Sequence, residues 1–156
     1  EILDFTREKL IEVLNNTQEA EILDGMDLAL GIWDQNNNEI HFSGANRPLW
    51  LIREGEILEY KANRQHIGYS TTLKPFSTER IQLQEGDQVY IFSDGIIDQF
   101  GGEKGKRFMS KKLKQLLLSV ANMETEQQKE TIKQTLIDWQ GGNYQTDDIC
   151  IMGVKF

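Results

Sequence analysis

The sequence is poor in the residues that build several common kinds of site. One cysteine, Cys150, stands among 156 residues. An internal disulfide is therefore excluded, as is a cysteine-rich zinc centre, and a reducing, cytoplasmic setting is the natural expectation. The two histidines, His41 and His66, do not have the HExxH-type spacing of a metalloprotease. No apolar stretch is long enough to span a bilayer, and the opening EILDFTREKL is charged and periodic, unlike a signal peptide. Basic runs are missing too. Lys and Arg number 17 against 25 Asp and Glu, for a net charge of −8. That balance argues against nucleic acid, or direct contact with an anionic membrane, because both require a basic face. The only prolines, Pro48 and Pro75, are expected at strand starts. No nucleophile elbow, phosphate-binding loop or dinucleotide fingerprint is present. No initiator Met heads the chain, so a longer parent protein is expected.

What is present reads as alternating strands, then helices. Residues 2 to 16 place Leu3, Phe5, Leu10, Ile11 and Leu14 near helical spacing, followed by a loop. MDLALGIWD is apolar or small on both faces, which predicts a central strand covered on both sides. QNNN turns it into EIHFSG, since Asn tolerates positive φ. A second hairpin is expected about Glu54-Gly55, and a third joins FSTERIQL to QVYIFSD. Beyond Phe100 a Gly-rich basic loop, 101 to 107, precedes two helices; its Lys104, Lys106 and Arg107 are expected either to touch an acidic or phosphorylated partner or to be simply solvated. The first carries Phe108, Leu113, Leu116, Leu117 and Val120. The second carries Ile132, Leu136, Ile137 and Trp139, with Thr125 and Gln128 spaced as a capping box. ICIMGVKF closes the chain as a strand holding a structural Cys150. The expected class is α+β, helices on antiparallel sheet, in one domain.

Two acidic motifs stand out. In FSDGIID, Asp94 closes an apolar strand and Gly95 allows a sharp turn and a close approach. If a helical turn starts after Gly95, Asp94 and Asp98 share a face and repel unless a cation or hydrogen bonds intervene. In QTDDI, Asp147 and Asp148 stand at the start of the last strand. Each motif alone is more often an ordinary turn than a site. Together, as carboxylates at the mouths of buried strands, they suit hard cations such as Mg²⁺ or Mn²⁺. Two such ions can orient a water for in-line attack on phosphorus.

DGMDLALGIWD, FSGANRPLWLIREGEI, GDQVYIFSDGIIDQFGG and QTDDI together resemble the PPM family. These are metal-dependent serine/threonine phosphatases related to protein phosphatase 2C, and the nearest branch is the bacterial stage II sporulation protein E type. The resemblance implies an antiparallel β-sandwich flanked by helices. It assigns Asp94 and Asp147 to the two catalytic metals, Asp98 to an additional weaker ion, and Asp148 as the less certain member of its pair. Ala45 stands where many members have His, so no catalytic role is carried to that loop. The family's first signature, with its bridging Asp, has no counterpart here; Asp24, Gly25 and Asp27 read as a turn. The chain is thus expected to be the C-terminal two-thirds of a phosphatase domain, missing its N-terminal strands, with little activity alone. Exposed sheet edges then invite a homodimer. The parent is expected to hydrolyse phosphoserine or phosphothreonine on a regulatory protein, for example an anti-sigma-factor antagonist. The segment is expected to be cytoplasmic, as the cytoplasmic part of a larger sensor. A non-catalytic docking module on the same fold and a small-molecule phosphohydrolase are the alternatives.

Overall fold

The computed structural model describes residues 2–15, 24–70 and 73–156. In chain order the elements are α1 (Ile2–Asn15), β1 (Gly25–Met26), β2 (Leu28–Asp34), β3 (Glu39–Ala45), β4 (Leu49–Arg53), β5 (Glu56–Tyr60), β6 (Ile67–Gly68), β7 (Glu79–Gln82) and β8 (Gln88–Phe92). There follow α2 (Gly95–Asp98), β9 (Phe100–Gly101), β10 (Lys106–Arg107), α3 (Met109–Val120), α4 (Thr125–Gln140) and β11 (Ile151–Lys155). The loop expected after α1 lies outside the described residues. The chain divides into two compact units, Glu1–Leu49 with Tyr60–Leu83, and Trp50–Glu59 with Gln84–Phe156.

In the first unit β2, β3 and β7 form an antiparallel sheet with β3 central. The β2–β3 turn follows its chemistry, since Asn38 has φ 52°. Leu3 of α1 packs with Ala45, Ile67 and Phe76. Three expectations fail here. β2 is an edge strand, and its Gly31, Ile32 and Trp33 are exposed among the described residues. Apolar residues on both faces mark surface to be covered, but they do not name the neighbouring strand. β7 also does not hairpin with β8, because it pairs with β3. The Glu85-Gly86 segment turns tightly instead, with Gly86 at φ 89°. Pro75 lies in the loop before β7 rather than at its start.

In the second unit the strand order is β11-β8-β4-β5. Glu54 and Gly55, both at positive φ, make the β4–β5 turn. α3 buries Leu113, Leu116, Leu117 and Val120, the i, i+3, i+4, i+7 stripe of a helix facing a core. These residues meet Trp50, Ile52, Tyr90, Phe92 and Ile132. Trp50 and Phe92 rings lie 4.5 Å apart, centroid to centroid. Each such side chain, fully buried, contributes about 1.5–3 kcal/mol. α4 departs from expectation at two points. Ile137 is exposed. Thr125 forms no capping box: Glu124 is the N-cap without a side-chain bond, and Gln128 is buried. Its amide bonds to Gln88 Oε1 and the Met123 carbonyl, and the Tyr90 hydroxyl lies 2.6 Å from its Oε1. The polar cluster in the core thus claims the residue that a cap would have used. Gly141 ends α4 at φ 54°, with its N–H on the Ile137 carbonyl. Cys150 precedes β11 and is exposed, not held inside the strand.

Candidate metal-binding site

The two acidic motifs meet at the ends of β8 and β11. These strands are antiparallel, with Phe92 opposite Ile151. The ladder continues past the strand ends through a side chain. Ser93 N–H donates to the Cys150 carbonyl at 2.9 Å. Ser93 Oγ accepts the Cys150 N–H at 2.9 Å and donates to the Asp148 carbonyl at 2.7 Å. One hydroxyl therefore fixes the segment that carries Asp147 and Asp148 against the segment that carries Asp94.

Gly95 tightens this junction. A Cβ placed on it would lie 2.4 Å from the Asp148 carbonyl oxygen and 3.2 Å from the Asp147 carbonyl carbon. Only glycine allows the two backbones to approach so closely. It also opens α2, as expected: the N–H groups of Ile97 and Asp98 both reach the Asp94 carbonyl at 2.9 Å. Asp94 and Asp98 are half-buried on one helical turn, whereas Asp147 and Asp148 are exposed. Asp147 Oδ1 accepts the Asp148 N–H at 2.7 Å, and Gln145 Nε2 donates to the Asp147 carbonyl at 2.8 Å. The DD turn is held by its own hydrogen bonds before any ligand arrives.

Asp98 has a cation of its own. Arg107 Nη1 donates to its Oδ1 at 3.1 Å, and the guanidinium carbon lies 5.5 Å from the Phe100 ring centroid. Beside it Gln99 is buried and anchors the loop. Its Nε2 donates to the Phe100 and Tyr144 carbonyls, while its own carbonyl accepts Trp139 Nε1 and the Phe108 N–H. Gly102 N–H donates to the Trp139 carbonyl at 2.7 Å, which pins the Gly-rich hairpin to the end of α4.

Ser93 and Arg107 are the residues that the motif search did not assign. Ser93 adjoins the motif, but its role depends on the β8–β11 register. The sequence offers Arg107, with Lys104 and Lys106, as a basic loop for an acidic or phosphorylated partner or as a solvated loop, but does not pair it with Asp98.

The donor set is oxygen throughout, which fits Mg²⁺ or Mn²⁺. Among the described residues no three acidic, His or Cys side chains converge as a closed cation cage. A Mg²⁺ site needs less than a cage. It uses one or two carboxylates, waters and substrate phosphate. The residues present therefore fit part of such a shell.

The family profile of stage II sporulation protein E matches residues 3–156. The chain belongs to this family. Among solved structures it resembles the SiaA-PP2C domain of Pseudomonas aeruginosa, at 28% identity and TM-score 0.81, over 96% of this chain and 58% of that one. It also resembles the phosphatase domain of SpoIIE from Bacillus subtilis, at 18% identity and TM-score 0.60, over 99% and 71%. The third is the PPM Ser-Thr phosphatase MsPP from Mycobacterium smegmatis in complex with cacodylate, at 12% identity and TM-score 0.60, over 98% and 72%. A comparison with curated proteins finds no match. The chain thus spans 58% of the SiaA chain that it matches. Its α+β fold, helices with antiparallel sheets, is that of the PPM serine/threonine phosphatase domains.

Proposed function

We propose that this chain supplies the C-terminal part of a metal-dependent phosphatase domain that removes phosphate from serine or threonine of a regulatory phosphoprotein. The observation that carries the reading is the Ser93–Gly95 junction, which brings the Asp94 turn against Asp147–Asp148. Asp94 and Asp147 would hold the divalent ions, with Asp148 and Asp98 in lesser roles. When bound, the ions supply positive charge to the phosphoryl oxygens and lower the pKa of water. The protein's own contribution is position: backbone and Ser93 hydrogen bonds hold the carboxylates at the rim of a packed sheet. An anti-sigma-factor antagonist is the substrate class we favour. The lone free thiol suits a reducing cytoplasm. Among the described residues no helix is long and apolar enough to cross a membrane.

The test is hydrolysis of a phosphoserine peptide with Mn²⁺ by the full-length parent. Asp94→Asn is expected to abolish it, and unchanged turnover would refute the assignment. This chain alone is expected to show little turnover. The second reading is a docking module on the same fold, without catalysis. A parent that binds a phosphoprotein but never hydrolyses it would support that one.

A further inference from the structure

The segment from Lys104 to Lys114 holds six of the chain's 17 basic residues and no acid. With the whole chain at −8, that segment at +6 leaves −14 on the rest. Two of the six are paired, Arg107 with Asp98 and Lys114 with Glu59. Lys112 stands over the Trp139 ring, 3.8 Å from its centroid. Lys104, Lys106 and Lys111 are exposed and make no ion pair among the described residues. Lys111 and Lys112 also lie in the first turn of α3, where the helix dipole favours acids. This surface is no slack loop. Gly102 N–H is bonded to the Trp139 carbonyl and Phe108 N–H to the Gln99 carbonyl. Phe108 is buried edge-on to Trp139, with 5.4 Å between ring centroids. Beside Arg107 stand two exposed apolar side chains: Phe100, opposite it in the β9–β10 register, and Met109, two residues on. Met109 has φ 70°, a conformation unfavourable for any residue with a Cβ. A Met held there, 57% exposed, costs the fold energy and buries little in return.

We propose that residues 100–114 form a docking surface for the acidic face of a protein, namely the phosphoprotein on which the domain acts. The partner's identity rests on the phosphatase reading; the surface does not. Carboxylates of the partner meet Lys104, Lys106 and Lys111, and an apolar side chain meets Met109 and Phe100. An apolar centre within a charged rim is the anatomy of a protein interface, with Met and aromatic residues as its anchors. Arg107 stays on Asp98 and keeps the hairpin in place. Charge selects the class of partner. The −14 elsewhere repels a DNA duplex or an anionic membrane, which extend beyond the patch, whereas a compact acidic face meets the patch alone. The lysines then raise the rate of encounter, and the apolar anchors slow release. Asp98 lies one helical turn from Asp94, so docking here brings the partner alongside the acidic motifs.

The first stage of the test needs no catalysis. This chain is titrated into a labelled peptide of Asp, Glu and one Leu, and into a counterpart with Ser for each acid, and anisotropy is read. The acidic peptide should bind at least about 10-fold more tightly, and the margin should shrink as salt rises. The triple variant Lys104→Gln, Lys106→Gln, Lys111→Gln should weaken it about 10-fold, from three exposed pairs of about 2-fold each. Met109→Gly separates docking from folding. Glycine suits φ 70°, so the urea midpoint should hold or rise, while binding falls about 5-fold. In the parent, the triple variant should raise KM about 10-fold for a phosphoserine peptide with an acidic flank. The proposal is overturned if the two peptides bind alike, or if the triple variant or Met109→Gly binds the acidic peptide as the wild type does. It is also overturned if a DNA duplex or a phosphatidylserine vesicle displaces that peptide. No acidic-peptide binding in a parent that hydrolyses phosphopeptides defeats this proposal alone. Binding kept in a parent that never hydrolyses one defeats the phosphatase reading alone.

Discussion

Gly95→Ala isolates the contact that joins the two acidic motifs. The added methyl would stand 2.4 Å from the Asp148 carbonyl oxygen and 2.8 Å from its carbon, both backbone atoms. A comfortable carbon-to-oxygen contact begins near ~3.3 Å. The Asp148 carbonyl must therefore withdraw by about 0.9 Å, or α2 must tilt by as much. Either movement strains the 2.7 Å bond from Ser93 Oγ to that same carbonyl. The fold should survive, because the core of Trp50, Phe92, Leu113 and Leu117 is untouched. Overpacking of this kind costs about 1–3 kcal/mol. A functional constellation tolerates only ~0.5 Å of misplacement, and a 1 Å error costs roughly 100-fold in rate. The expected outcome is a parent enzyme folded by circular dichroism, with a modestly lower urea midpoint. Its phosphopeptide turnover should fall about 100-fold. Ser93→Ala should reproduce the direction with a smaller loss, since it removes the stitch without a clash. If Gly95→Ala keeps full activity and metal affinity, the close approach does not position the acids and the geometric argument is refuted.

Two further outcomes are expected. Asp87 is 1% exposed, bonds Arg53 through both carboxylate oxygens at 2.9 and 2.6 Å, and accepts the Gln84 N–H. Burial alone would raise its pKa. The Arg53 hydrogen bonds, the Gln84 N–H and the Arg53 charge outweigh burial and hold it below the usual carboxylate value. Asp87→Asn should cost about 2–4 kcal/mol in urea unfolding. Because the folded pKa is depressed, this contribution is complete above about pH 4 and fades as pH falls through the folded value. A difference between wild type and variant that stays constant down to pH 2 would contradict the linkage. β11 is an edge strand, and Met152 and Val154 lie exposed on it. This chain should therefore self-associate in sedimentation velocity, and the Met152→Lys, Val154→Lys double variant should stay monomeric. A wild-type chain that stays monomeric across the concentration series would remove β11 as a dimer edge.

Local chemistry was legible in the sequence, and pairing was not. The α3 stripe, the Asn38 turn and the Glu54-Gly55 turn each follow from residues a few positions apart. The β7–β8 hairpin failed because alternation specifies faces, not partners. β7 and β8 are adjacent in sequence, yet β7 takes β3 and β8 takes β4 and β11. β2 failed for the same reason. Its apolar faces were expected to be covered on both sides, yet Ile32 and Trp33 are exposed and the strand stands at a sheet edge, a property of the whole topology. The Thr125 cap gave way to the core because Gln128 satisfies Gln88 and Tyr90, residues about 40 positions upstream that no local pattern includes.

The candidate site divides along the same line. That Asp94 and Asp98 share a helical turn follows from four residues of spacing, and the structure contains that turn. The repulsion expected between them has a resolution that spacing does not supply, because Asp98 finds Arg107 across a hairpin. Likewise, QTDDI announces carboxylates but not their neighbours. Their place beside Asp94 depends on the β8–β11 register, and on a serine and a glycine whose relevance appears only once residues 55 positions apart are paired. A motif therefore states which ligand chemistry is on offer. Whether those ligands act together depends on backbone contacts at the strand ends, which is why Gly95, with no side chain to bind anything, is the sharper probe of this site than any of its acids.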